Sequence, residues 1–148
     1  MVYAFTRSLP VAFVALALFA GTASAQKSSA NDFSDRKAVL ETIENFYIGD
    51  HTGSTEHKKL SMHPEGAYRY VDKSGKYRES RFRVDSDDSD DQYTEELLGV
   101  DIFENVALAR LRLEQNSRDV PEYKLMTLHR VEGKWLITSI SWGFGVTP

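Results

Sequence analysis

Apolar residues in this chain first recur at helical spacing and later alternate along strands. Val39, Ile43, Phe46 and Tyr47 form one helical stripe, widened by Leu40, and Arg36, Lys37, Glu41 and Glu44 lie off it. Ser34 suits an N-cap, Asp35 the positive end of the helix, and Gly49 a C′ stop. The pattern predicts a helix over 34–49 with one face to bury. A turn at Asp50–Ser54 and a short helix over Thr55–Met62, presenting Leu60 and Met62, come next. His63-Pro64 ends that helix, because the residue before proline is pushed out of the α region.

Strand signals follow. Gly66–Val71 carries Tyr68 and Tyr70 on one face, Asp72–Gly75 is a turn, and Lys76–Val84 runs back. Asp85–Asp91 reads as a solvated loop. Tyr93–Phe103 and Val106–Leu113 pair through a turn at Glu104-Asn105, with Ala107, Ala109, Leu111 and Leu113 sharing one face. The last pair, Tyr123–Trp142, turns at Val131–Lys134, where Gly133 supplies a positive φ. Pairing across that turn places Val131 near Trp135 and His129 near Ile137. Trp135 and Ile137 then lie on one face, with Leu136, Ile140 and Trp142 on the other. Two apolar faces need two covers, and the helices supply one. The other is expected to bury against a second copy, which predicts a homodimer. Helices on one face of a meandering antiparallel sheet make an α+β domain, with the sheet bent around the long helix.

The N-terminus changes the domain picture. Arg7 precedes an unbroken apolar run, Val11–Ala20, and Ala23-Ser24-Ala25 has the small-x-small form of a signal-peptidase site. The run is shorter than the ~20 residues a bilayer span needs. Residues 1–25 are therefore expected to be a signal peptide, 26–33 a disordered leader, and 34–148 the domain. No cysteine occurs, so a lipoprotein anchor is excluded and no disulfide is needed for a domain of this size. The expected address is periplasmic or secreted, with no membrane contact after cleavage.

Charge narrows the partners. The chain carries a formal net charge of −4, and losing Arg7 with the leader makes the remainder more negative. Nucleic acid and anionic membranes are excluded as partners, since phosphate binding needs a basic face. Arg78, Arg81 and Arg83 cluster, but the aspartates from Asp85 to Asp91 follow at once and neutralise their field.

Several stretches together resemble the NTF2-like superfamily, in particular the group called putative lumazine-binding proteins. They are Phe46–Gly49, Leu60–Gly66, Gly99–Ile102 with Val106–Ala109, and Tyr123–Leu128 with Glu132–Ile137. The resemblance implies a cone: a curved antiparallel sheet wrapped around the long N-terminal helix, with a pocket between them and often a dimer through the outer sheet face. It implies no single activity, because that superfamily spans isomerases, hydrolases, cyclases and binding proteins.

Candidate chemistry is sparse. Isomerases of this fold need a carboxylate base on the first strand, and the resemblance puts Tyr70 at that position. Asp72, the nearest acid, falls in the turn. His63 could act as an acid/base at the cone mouth, but its imidazole more simply bonds backbone and fixes the turn before Pro64. His51 and His57 read as exposed, and His129 as a strand residue. The six-residue spacing of His51, His57 and His63 suits no zinc site. Asp85–Glu96 only superficially tracks a calcium loop, because Asp90 stands where the turn needs glycine. No metal and no cofactor are expected. Tyr47, His63, Tyr68, Tyr70 and Trp135 are the candidate pocket residues, suited to a small apolar or planar ligand. The reading is an exported, non-catalytic small-molecule-binding domain. The alternatives are a small enzyme using His63 or Asp72, and an interaction module whose cone is filled by its own side chains.

Overall fold

The computed structural model describes residues 22–72, 74–116 and 120–144, with side chains from Asp32 to Gly143. The expected signal peptide lies outside the described residues except at its cleavage stretch. Helix α1 runs Thr22–Thr52. It passes through 26–33 and Ser34, so the stretch expected as a disordered leader is helical and Ser34 is not a cap. Gln26, Lys27 and Ala30 favour helix there, and no proline interrupts it. Nor does the helix stop at Gly49. Gly53 ends it, with φ 73° and its N–H donating to the Gly49 carbonyl at 3.0 Å. Gly49 serves a different purpose: a Cβ there would stand 2.9 Å from the Lys58 backbone nitrogen, so only glycine lets the next helix pack this close.

Helix α2, Thr55–Ser61, starts at the Ser54 cap, whose hydroxyl accepts from the His57 N–H. Leu60, expected to face the core, is exposed, and Lys58 and Ser61 take the buried side. The six strands are β1 Met62–Val71, β2 Tyr77–Arg81, β3 Tyr93–Phe103, β4 Val106–Gln115, β5 Glu122–Val131 and β6 Lys134–Phe144. They form one open sheet in the order β2-β1-β6-β5-β4-β3. β1 runs parallel to β6, and every other pairing is antiparallel. The α+β architecture with the sheet curved around α1 is as expected.

The last hairpin corrects the expected faces. Glu132 and Gly133 both take positive φ, 50° and 80°, so the turn has two residues and Val131 pairs with Lys134. Trp135 therefore faces Arg130, and Leu136 faces His129. A bulge at Thr138 then inserts one residue, because Leu128 pairs with Ile137 and Thr127 with Ser139. That extra residue switches the parity. Trp135, Ile137, Ile140 and Trp142 all point into the cone, and Ile140 is fully buried. The argument for a dimer through Leu136, Ile140 and Trp142 fails on this geometry. The inner face instead packs on Val39, Ile43 and Phe46 of α1, together with Ala107, Ala109, Leu111, Leu113, Met126 and Leu128.

Candidate functional site

Polar groups gather at one end of the cone, where the C-terminal end of α1 meets the first residues of β3 and β5. Alternation along β5 sends Glu122, Lys124, Met126 and Leu128 to the same inner face. Lys124 thus carries an ammonium into the interior, where it donates to Glu95 of β3 at 2.6 Å. The pair is well shielded, with side-chain exposures of 11% and 5%. The Lys124 Nζ also lies 4.5 Å from the Tyr93 ring centroid and 5.2 Å from that of Phe46. Tyr93 in turn donates its hydroxyl to the Asp50 carboxylate. Its backbone carbonyl lies 3.0 Å from His51 Nε2, while His51 Nδ1 is 3.1 Å from the Tyr47 carbonyl.

The aspartate-rich segment closes this end. The buried Lys58 ammonium donates to the carbonyls of Ser86 at 2.8 Å and Asp88 at 2.5 Å. The Asp90 N–H donates to the Asp50 carbonyl at 2.8 Å. Gly53 is again required, since a Cβ there would meet the Asp87 carbonyl oxygen at 2.2 Å. The loop expected to be merely solvated is thus anchored by backbone, with its carboxylates outward. Beneath it remains a cavity of about 140 Å³ bordered by Asp50, Lys58, Met62, Tyr68, Arg83 and Asp88. Tyr68 supplies a hydroxyl 3.9 Å from the Met62 sulfur. Burial first, and the Asp50 charge second, push the Tyr68 and Tyr93 phenols well above their ordinary range. Both stay neutral donors at physiological pH.

Of the five expected pocket residues, only Tyr68 borders this cavity. Tyr47 points away from the cone and stacks on His51, with ring centroids 3.8 Å apart. Tyr70 stacks on Trp142 at 4.3 Å and 14°, on the rim. Trp135 is buried at the opposite end, where its Nε1 donates to Asp35 at 3.2 Å and Arg130 lies over its ring. His63 is the second residue of β1, not part of a turn, and accepts at Nδ1 from the Glu65 N–H at 3.1 Å. Asp72 accepts from the Ser74 hydroxyl, the Arg78 guanidinium and the Ser74 and Lys76 N–H groups. Those bonds, led by Ser74 and Arg78, hold its carboxyl far below the usual range, so it is a fixed anion of the hairpin turn and an ineffective base. Sequence reasoning missed Asp50, Lys58, Glu95 and Lys124. Glu122 and Lys124 did leave a signal, as charges continuing the inward parity of Met126 and Leu128. Among the described residues no group of three His, Asp or Glu side chains is arranged to hold a metal ion.

Relatives place this geometry. The chain resembles an NTF2-like protein of unknown function from Shewanella baltica at TM-score 0.64 and 16% identity, over 78% of this chain and 97% of that one. An NTF2-like protein of unknown function from Methylobacillus flagellatus matches at TM-score 0.62 and 18% identity, over 76% and 94% of the two chains. A hexachlorocyclohexane dehydrochlorinase from Novosphingobium barchaimii shares the fold at TM-score 0.58 and 6% identity, over 80% and 91%. No curated protein matches the sequence. The family described as putative lumazine-binding matches residues 34–143, most of the chain. The chain therefore belongs to the putative lumazine-binding family of NTF2-like domains.

Proposed function

We propose that this protein binds a small, planar, polar molecule at the closed end of the cone and does not transform it. One observation carries the reading: a small cavity carries donors and acceptors, yet its acids are already engaged. Asp50 accepts from Tyr93, Asp88 is paired with Arg83, and Asp90 accepts from the Gln92 N–H. None of the three stands unpartnered, as a general base poised for proton abstraction would. The cavity, at about 140 Å³, is below the ~300–1,000 Å³ of drug-sized sites, which limits a ligand to roughly one ring system. Tyr68 offers a hydroxyl, Arg83 keeps N–H groups beyond its pair with Asp88, and Asp50 keeps lone pairs beyond its bond from Tyr93, a set that suits the alternating edge of a cyclic imide or pteridine-type heterocycle. The family's description supports that class.

Lumazine itself, which is fluorescent, is the probe for a titration. Binding is expected, with Tyr68→Phe and Arg83→Ala each weakening it about fivefold or more, the worth of one hydrogen bond. No binding, or unchanged affinity in both variants, would remove the cavity from consideration. We also propose that the protein works in the periplasm or outside the cell after cleavage at Ala25, and that it forms a homodimer. Retention of residues 1–25 in N-terminal sequencing of exported protein would overturn the first of these.

A further inference from the structure

We infer that the aspartate-rich segment 83–92 is a strap that opens on its own, with Lys58 as its latch, and that this opening is the way into the cavity. For the ligand proposed above the inference rests on that reading; the opening itself does not. Arg83, Ser86, Asp88, Ser89 and Asp90 form one wall of the cavity, and Asp50, Lys58, Met62 and Tyr68 form the other. The second group is fixed on α1, α2 and β1. The first belongs to a stretch without helix or strand, between the end of β2 at Arg81 and the start of β3 at Tyr93. Its two ends are posts: Phe82 and Tyr93 are 6% and 4% exposed, and both pack in the core. Between them, Asp85 to Gln92 includes no apolar residue, and all but Ser86 are exposed. Burial therefore does little to hold the middle down, which places it at the low-stability end of the structure.

Polar ties hold it instead. The Lys58 ammonium reaches the Ser86 and Asp88 carbonyls, and the Asp90 N–H reaches the Asp50 carbonyl. Beside the Tyr93 post, the Asn116 N–H bonds the Gln92 carbonyl at 3.0 Å. Lys59 pairs with Asp85 at 2.7 Å, but both side chains are exposed, and such a pair contributes little in water. Lys58 is different. It is 4% exposed, and its charged donor makes the stronger kind of hydrogen bond to two carbonyls. Against it stand five aspartates in seven residues, Asp85, Asp87, Asp88, Asp90 and Asp91, whose mutual repulsion favours spreading. Arg83 offsets one of them by pairing with Asp88 inside the strap, and that pair adds no tie to the body. The seat at Gly53 is steric: the Asp87 carbonyl rests where a Cβ would stand, a contact that parts by simple withdrawal. One buried charge thus holds a self-repelling segment closed over a cavity.

The chain has no cysteine, so the thiol of Met62→Cys, on the fixed wall of the cavity, reports access to it. Its labelling by iodoacetamide at constant pH should proceed in native conditions, at a rate nearly independent of urea below the unfolding transition. Lys58→Met should speed it about tenfold or more, the effect of losing a charged hydrogen bond. Leu128→Ala, which weakens the fold at the apolar end, should leave the rate unchanged, because the strap opens without breaking that packing. Hydrogen exchange of the Asp90 amide should respond to both changes in the same way. It needs no added cysteine, and so decides the matter if Met62→Cys fails to fold. Lumazine should associate faster with Lys58→Met than with the unaltered chain. Labelling and exchange that track global unfolding in urea would overturn the strap. So would a Leu128→Ala effect as large as that of Lys58→Met, or no effect of Lys58→Met. Lumazine that binds at an unchanged association rate would overturn the strap's role as entrance. If lumazine does not bind while labelling and exchange behave as expected, the binding reading fails and the strap stands.

Discussion

The two ends of the cone are built on the same strands yet obey different rules. Around Trp135 the inward strand positions are apolar: Ile137 and Leu128 pair across the hairpin, Ala107 lies beside Leu128, and Val39 of α1 covers them, while Thr42 and Asp35 of the helix bond the Trp135 carbonyl and indole. At the other end the same inward positions hold Lys124, Glu95, Tyr93 and Tyr68, and every buried side-chain polar atom among the described residues has a partner. The apolar end is held by burial and tolerates chemistry poorly. The polar end is held by pairing, and a cavity remains beneath its loop. One backbone pattern thus builds an end held by burial and an end held by pairing.

The sharpest way to break that comparison is to unpair the polar end. Lys124→Met leaves the Glu95 carboxylate buried without its cation, and should lower unfolding free energy in urea by about 3–5 kcal/mol. The double change Lys124→Met with Glu95→Leu should regain most of that loss, because two apolar groups fill the space without an orphaned charge. A double variant no better than the single would mean the pair holds the fold by more than neutralising itself. At the apolar end no second change should rescue. Leu128→Ala, at a fully buried position, should cost about 3 kcal/mol through lost burial and the cavity left behind.

What the sequence made legible follows the same division. The helical stripe of Val39, Ile43 and Phe46, the hairpin at Glu104-Asn105 and the inward row Ala107–Leu113 are all readable, because apolar periodicity reports burial directly. The faces of the last hairpin were misjudged because a one-residue bulge at Thr138 leaves no compositional mark, yet inverts the parity of everything after it. The site was mostly illegible for a related reason. Asp50, Lys58, Glu95 and Lys124 are charged residues on inward positions, and a hydropathy reading sends such residues to solvent. Their partners lie far apart in the chain, so the compensation that makes their burial affordable becomes visible only in three dimensions.

A pH titration sharpens the contrast further, because only the polar end holds buried phenols. The folded pKa values of Tyr68 and Tyr93 are raised above the ordinary value, by burial first and Asp50 second. A raised pKa means the native state keeps protons that the unfolded chain would release. Their contribution is therefore complete below about pH 10 and is lost progressively as the pH rises above it, at up to about 1.4 kcal/mol per pH unit for each phenol. Urea midpoints measured from pH 9 to 11 should fall, and Tyr68→Phe should flatten the decline. An equal slope in that variant would show that the Tyr68 phenol ionises freely.

The smallest effect is expected at His63, the residue whose chemistry the sequence made most tempting. Its Nδ1 takes one hydrogen bond, from the Glu65 N–H two residues on, and that first stretch of β1 is open to water. Glu65 itself is exposed and already paired with Arg81 at 2.5 Å, so it does not orient the imidazole. Loss of a solvent-accessible bond costs little, because water replaces the missing acceptor. His63→Ala should lower stability by under about 1 kcal/mol and leave lumazine affinity unchanged. A fall in affinity as large as that of Tyr68→Phe would place His63 in the ligand's path. The cavity beneath the aspartate loop would then be only part of a longer channel running past Met62 to His63.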